Sequence, residues 1–458
     1  MRKTTFGRQL AAVALVAVLA AACSSSTDDA GGGGTGAPGS TAGPATTEAA
    51  APIDYEALGL WDDGPCDTSK PPLVIGLMTV FESPIVSLED QAQALEAAGT
   101  AFNARGGANG SCVEVHTCDD GANADQAIAC VREIDAAGVV VTVGDQGTAG
   151  QGEVSDAMAA AGIPRVASNV TSDDWDDQNA YPLDPSGTGG TFLHPEALRQ
   201  AGASTVGLIR VDLPEASALV GLLGDLYADR GLTFPFDTPV PAGTTDYSQF
   251  VLAAEGAGVD GVTLNLGEQE ATQVVSAAQQ LGTQLLIGAG LGTFSYATVA
   301  DLGDFAQQLV FDNSFPPASF DLPVYEVLRA DLAASGIEAL QPENLKASPM
   351  RSWIGLYALL YMIRDADMTD FTREGISAML QAAHDVPMLG MFGDEDWTPD
   401  LDHPGLFQRA GMNHWASYRW DPDAPGLDGA SGNFVEDGET SFDDVLCGSP
   451  FGAPGPCS

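Results

Sequence analysis

The side chains able to carry chemistry are dispersed along this chain, and their spacing excludes most catalytic arrangements. The five histidines, His116, His194, His384, His403 and His414, stand far apart, with no His-Glu-x-x-His pair to put two imidazoles on one helix face. No Gly-x-Ser-x-Gly turn is present to expose a nucleophilic serine. None of the seven cysteines forms a Cys-x-x-Cys metal or redox pair. Gly288-Ala289-Gly290-Leu291-Gly292 follows an apolar run, but lacks the third glycine spacing and the phosphate lysine of a nucleotide loop. Asp394-Glu395-Asp396 to Asp402, and Asp421 to Asp428, are oxygen-rich; neither has the spacing of a calcium loop, so solvated turns are expected. No metal, no cofactor and no catalytic residue is expected. What remains is binding. The loop Gly144-Asp145-Gln146-Gly147-Thr148-Ala149-Gly150 leads from an apolar run into a helix, and free amides with the helix dipole suit a carboxylate or other acceptor-rich group there.

Charge narrows the partners. The chain has 17 basic and 63 acidic residues, a net charge of −46, which argues against nucleic acid because phosphates would be repelled. A solvated acidic surface is the expectation, including at Asp173-Asp174-Trp175-Asp176-Asp177. The N-terminus has its own logic. Arg2, Lys3 and Arg8 precede an apolar run from Leu10 to Ala22, too short to span a membrane, and Ala20-Ala21-Ala22 leads into Cys23. This order reads as a signal peptide over residues 1–22. The small residues before Cys23 resemble the lipobox of bacterial lipoproteins, which implies a lipid on the Cys23 thiol; Ala20 fills the slot where an aliphatic residue is usual. Residues 23–52 are almost entirely Ser, Thr, Gly, Ala and Pro, a composition that cannot bury a core, so a flexible leash is expected. A folded body tethered to the outer face of a membrane follows.

That body, from about Pro52, is long enough for two lobes. Leu73–Met78 is a short apolar run of the kind found in buried parallel strands, and Leu88–Arg105 recurs at helical spacing until Gly106-Gly107 stops it. Strand Cys112–His116, helix Ala122–Ala137, strand Val139–Val143, helix Val154–Ala161 and Arg165–Ala167 continue the alternation. A second series holds Thr205–Ile209, a helix near Ala216–Arg230, Gly261–Leu264, a helix Glu270–Leu281 and Leu285–Ile287. Two sets of strand–helix units predict an α/β protein of two doubly wound parallel-sheet lobes, with ligands beyond the carboxyl ends of the strands. The apolar segment Trp353–Ile363 is expected as a buried helix.

Phe102-Asn103-Ala104-Arg105-Gly106-Gly107-Ala108-Asn109-Gly110, with Val113-Glu114-Val115 and Cys118-Asp119-Asp120, resembles the first helix, turn and second strand of the leucine/isoleucine/valine-binding type of periplasmic binding protein. Val143-Gly144, Val154-Ser155-Asp156 and Gly162-Ile163 resemble the next unit, and the likeness runs from about Leu73 to Trp420. The resemblance implies two lobes joined by a three-strand hinge. Residues 53–190 with 318–405 would form the first, 191–317 with 406–445 the second, and 446–458 a tail. It further implies a monomeric receptor that closes on a small solute and docks on the permease of an ABC importer, or one that uses the same cleft to signal to a membrane partner. Thr148, beside Ala149, takes the place of a Ser that grips a ligand carboxylate, and Asn169, Val170 and Thr171 match a segment giving backbone groups and a Thr hydroxyl. Ser87, Gly290 and Asp212 to Ala216 are candidates from cleft position. Gly290 stands where amino-acid-binding members place the acid that holds an ammonium, and Glu215 and Gly267 stand where tyrosines are usual. An unpaired buried ammonium is costly, so an ordinary α-amino acid fits poorly, unless Glu215 or Glu268, both expected in solvated loops, substitute. The family's strand-to-helix bridge implies Cys118–Cys130. Cys66 with Cys112 suits a second bridge, ahead of two neighbouring strands, which leaves Cys447 with Cys457 in the tail; six cysteines allow other pairings.

Overall fold

The computed structural model describes residues 53–81, 83, 86–147, 149–168, 177–184, 186–212, 214–391 and 414–446. The first part alternates β1 (Leu73–Thr79), α1 (Glu89–Ala104), β2 (Val113–Asp119), α2 (Ala124–Ala136), β3 (Val141–Val143), α3 (Gln151–Ala161), β4 (Arg165–Val166) and β5 (Ala180–Tyr181). These strands make a five-stranded sheet in the order β2-β1-β3-β4-β5, parallel throughout. β1 is apolar along nearly its whole length because both its faces are covered, as expected for a central parallel strand. α1 buries Ala94, Leu95, Ala98 and Phe102. It stops where Gly107 takes a φ of +56°, and a Cβ there would sit 2.2 Å from the Ser111 carbonyl oxygen, so only glycine fits.

The chain then crosses to a second sheet through α4 (Ser186–Gln200), β6 (Thr205–Val211), α5 (Pro214–Tyr227), β7 (Thr233–Val240), α6 (Ser248–Ala257), β8 (Gly261–Asn265), α7 (Glu268–Leu281), β9 (Leu286–Gly290), α8 (Tyr296–Ala300) and β10 (Leu309–Asn313). It returns to the first sheet with α9 (Pro323–Ala333), α10 (Ala347–Asp365) and α11 (Arg373–Gln381). A third crossing leads to β11 (His414–Pro425), β12 (Ser431–Ser441) and α12 (Phe442–Leu446). The second sheet runs β12-β11-β10-β9-β8-β6-β7. It is parallel from β7 to β10. β11 pairs antiparallel with β10 and with β12; a short turn through Leu427–Gly429 joins β11 to β12 directly and leaves no room for a crossover helix between them. Asp421, expected in a solvated turn, lies in that hairpin and accepts the Asp423 amide at 2.9 Å. β7 is an edge strand containing Pro235 and Pro239, which cost nothing where no further strand needs their N–H.

Each sheet is covered on both faces. In the first, α1, α9, α10 and α11 pack on one side and α2 and α3 on the other. α10 is apolar almost all round because it is an interior helix: Trp353, Leu356, Tyr357 and Leu360 are all fully buried. Its Gly355 lets it approach the sheet, since a Cβ there would lie 2.6 Å from the Ala167 Cβ. Asp331 on α9 locks this layer, accepting both terminal nitrogens of Arg105 at 2.8 and 2.6 Å and the Trp353 indole N–H at 2.9 Å. Cys66–Cys112 and Cys118–Cys130 are disulfide-bonded. Cys447 and Cys457, like Cys23, lie outside the described residues.

Candidate functional site

Between the two sheets lies a cleft of about 460 Å³. Its walls come from both: the approach to α1 (Val86–Asp90) and Gln146 after β3 on one side, and the residues following β8 and β9 on the other. α4, Asn313 at the end of β10 and the start of α10 complete it. The strands of both sheets therefore aim their carboxyl ends at one cavity, where doubly wound folds bind ligands.

Three pairings of a basic side chain with a carboxylate organise the cleft. Lys346, immediately before α10, sits between the sheets with its Nζ 2.9 Å from Asp90 on α1 and 2.7 Å from Glu268 on α7. Burial draws the Lys346 pKa down, but the two carboxylates outweigh it and hold the ammonium above its ordinary value. Arg351, one turn into α10, places Nη2 at 2.9 and 2.8 Å from the two oxygens of buried Asp184, which also accepts the Ser314 hydroxyl. Asp184 lies just before α4 and Ser314 just after β10, so this group ties two of the crossings to the helix. The third is His194 on α4, whose Nδ1 lies 2.5 Å from Asp312 on β10. Asp312 is buried, which raises its carboxyl pKa, and the His194 contact opposes the rise. Asp312 is also the register partner of Gly290 on β9.

Of the residues singled out in the sequence, Ser87 and Gly290 line this cleft together. Ala149 is half-buried two residues before α3, and Thr148, Asn169, Val170 and Thr171 lie outside the described residues. In the loop after β3 the amides of Gly144 and Gln146 are already bonded, at 2.8 and 3.0 Å, to the carbonyls of Val166 and Met78. Asp145 of that loop is structural, accepting the Met78 amide at 2.9 Å and the Thr142 hydroxyl. Three expectations change. Glu268 is the first residue of α7, so it is a helix residue and not a loop acid; its side chain, 47% exposed, lines the cleft in contact with Lys346. Glu215 falls within α5 and not in a loop. In the Asp173–Asp177 stretch, Asp177 is no solvated surface acid: it accepts the Ser155 hydroxyl at 2.6 Å and pairs with buried Arg165 at 3.1 Å. The rest of that stretch, and the acidic run from Asp394, lie outside the described residues. Among the described residues, no group of three His, Cys, Asp or Glu side chains could hold a metal.

Sequence reading missed His194, Asp312, Asp184, Lys346 and Arg351. A signal was present for Arg351: it is one of few basic residues, embedded in Met350-Arg351-Ser352-Trp353-Ile354, where only a paired charge tolerates burial. His194 in Phe192-Leu193-His194-Pro195 carries the same hint more faintly.

Known proteins share this architecture. The chain matches the family described as periplasmic binding protein over residues 72–421. Among curated protein sequences, none matches. The fatty acid ABC transporter substrate-binding protein from Thermomonospora curvata superposes with a TM-score of 0.65 at 18% identity, over 82% of this chain and 93% of that one. An R. palustris solute binding protein in complex with 4-hydroxybenzoate gives 0.65 at 16%, over 81% and 97% of the two chains. A branched chain amino acid ABC transporter protein from Thermus thermophilus with bound valine gives 0.66 at 17%, over 80% and 95%. Identities this low establish the shared two-lobed fold alone. With the sequence match over most of its length, the chain belongs to the periplasmic binding protein family.

Proposed function

We propose that this protein is an extracytoplasmic solute-binding lipoprotein that captures a small polar solute, amino-acid-, amide- or carboxylate-like, between its lobes and delivers it to an ABC permease. The carrying observation is the cleft of about 460 Å³, roughly the size of a small-molecule site, walled by the strand ends of both sheets. Its neighbours in fold, by their own descriptions, concern fatty acid, 4-hydroxybenzoate and valine, all of them carboxylic acids. Closure is a rotation of one lobe against the other about the three crossings, driven by solute contacts with both. In this reading the lobes comprise residues 53–190 with 318–405 and 191–317 with 406–445, and the chain acts as a monomer. Ser87 and Gly290 meet the solute, joined by Thr148 and Ala149 after β3 and by Asn169, Val170 and Thr171 after β4. Lipid on Cys23 and the leash over 23–52 keep the receptor beside its permease once residues 1–22 are removed, and Cys447 pairs with Cys457. The solute leaves unaltered.

A thermal-shift screen of amino acids, amides, short carboxylates and polyamines tests the reading, since a solute at a hundredfold its dissociation constant stabilises by roughly 2.7 kcal/mol. A hit is expected to bind more weakly to Thr148→Ala and Thr171→Ala, with folding intact. Absence of any stabilising solute, or chemical turnover of a hit, would remove it.

A further inference from the structure

Resting on the reading of the cleft as a solute site, the wall that α4 presents to it fixes part of what a solute must offer. His194 on α4 lines the cleft and is only 7% exposed. Its Nδ1 lies 2.5 Å from Asp312 Oδ1. An ionised carboxylate can only accept, so the proton of the neutral ring sits on Nδ1 and Nε2 keeps a lone pair. That Nε2 has no hydrogen-bond partner among the described residues. An acceptor so nearly buried and left bare is costly, and a group entering the cleft can satisfy it.

Glycines flank the edge of the ring that carries this lone pair. A Cβ on Gly190, one turn earlier on α4, would come within 2.8 Å of His194 Cε1 and 3.0 Å of Nε2. A Cβ on Gly290, at the end of β9, would stand 3.5 Å from Cε1 and 3.9 Å from Nε2. Side chains at either place would crowd the nitrogen. Charge points the same way. Among the described residues, Asp90, Asp184 and Glu268 line the cleft and Asp312 touches the imidazole, against two permanent cations, Lys346 and Arg351. Both cations already stand within 2.9 Å of these acids, so a solute carboxylate would enter a region with acid in excess.

We infer that His194 Nε2 is a hydrogen-bond acceptor on the α4 side of the cleft, and that the solute presents an N–H or O–H group to it. Asp312 is a positioning residue in this arrangement: by accepting the Nδ1 proton it selects the tautomer whose lone pair is left for the solute. A hydroxyl, an amide and an ammonium share this donor chemistry, whereas an ionised carboxylate can only accept and gains nothing from a bare nitrogen.

The test titrates the full folded chain, labelled with ¹⁵N-histidine, at a pH of about 8, above the ordinary histidine range. The His194 Nε2 resonance, assigned by its loss in His194→Gln, is expected to be that of an unprotonated nitrogen in the free protein. Butanol, butyramide or butylammonium should move it, and the one that moves it most identifies the donor as hydroxyl, amide or ammonium; butyrate should leave it in place. Affinity for that probe should fall about tenfold or more in His194→Leu and stay within about threefold in His194→Gln, whose side-chain oxygen accepts. Asp312→Asn frees the ring to take the other tautomer, so a proton should appear on Nε2 in part of the molecules, which lost packing alone would not produce; its absence removes the positioning role. A protonated Nε2 in the free wild type, a response to butyrate matching that to the donors, a response to none of the four, or unchanged affinity in His194→Leu overturns the inference. If the leucine variant fails to fold, the wild-type resonance decides alone. Hits in the broader thermal screen that leave Nε2 unmoved would keep solute binding and remove only this assignment, whereas an empty screen removes solute binding itself.

Discussion

Removing one arm of the Asp90–Lys346–Glu268 bridge should loosen the two lobes by a calculable amount. Lys346 reaches Asp90 from the first sheet's layers and Glu268 from the second's, so any opening that separates α1 from α7 must break at least one contact. The two arms differ in burial. The Glu268 side chain is 47% exposed, and water screens its attraction, so that arm contributes about 0.5–1 kcal/mol, at the top of the range for surface pairs. The Asp90 side chain is 9% exposed, and its oxygens make no hydrogen bond beyond the ion pair. Glu268→Gln is therefore expected to raise the ratio of open to closed molecules by about two- to fivefold. Lys346→Ala strands the Asp90 carboxylate, at a cost of about 3 kcal/mol or more, which opening relieves by hydrating it. That variant should be predominantly open, and adding Asp90→Asn should restore much of the closed population. Electron–electron distance measurements between spin labels at Arg132 on α2 and Gln280 on α7, both exposed, report the populations directly. About 1 M salt should move the wild type towards Glu268→Gln. Identical distance distributions for wild type and both variants at low salt would refute the reasoning.

Other outcomes follow from buried groups elsewhere. Asp331→Ala should cost about 3–5 kcal/mol, read from denaturant unfolding, because it leaves the Arg105 guanidinium buried without its partner. Reducing Cys66–Cys112, which closes a 46-residue separation, should destabilise the chain by about 4 kcal/mol, against about 3 for the 12-residue Cys118–Cys130. A Cys66→Ser melting curve matching that of wild type would contradict this. Burial raises the pKa of Asp120, opposed by the Ala122 amide it accepts. A carboxyl raised in the folded state stabilises below its unfolded pKa and loses that contribution as pH climbs through the folded value. Asp120→Asn, which keeps an acceptor for the Ala122 amide, should therefore raise the melting temperature at pH 7 and leave it nearly unchanged near pH 3. Cys23→Ala should release the protein from membranes into the medium, as fractionation would show.

What the sequence alone determined was periodic. Buried parallel strands such as Leu73–Thr79 read as nearly unbroken apolar runs, α1 ended where Gly107 demanded a left-handed turn, and α10 was apolar almost all round because it is interior. These patterns arise from neighbours within a few residues, and they marked two successive α/β lobes. β7, with two prolines, and the β11–β12 hairpin escaped, since an edge strand and a polar hairpin depend on what lies beside them. The site was legible only in outline. Ser87 and Gly290 could be placed near a cleft because strand ends converge there. The groups that set its chemistry could not, because a pair such as His194 and Asp312 is separated by 118 residues, and Arg351 and Asp184 by 167. A carboxylate's meaning depends on whether a cation stands within 3 Å of it, and only the tertiary fold decides that.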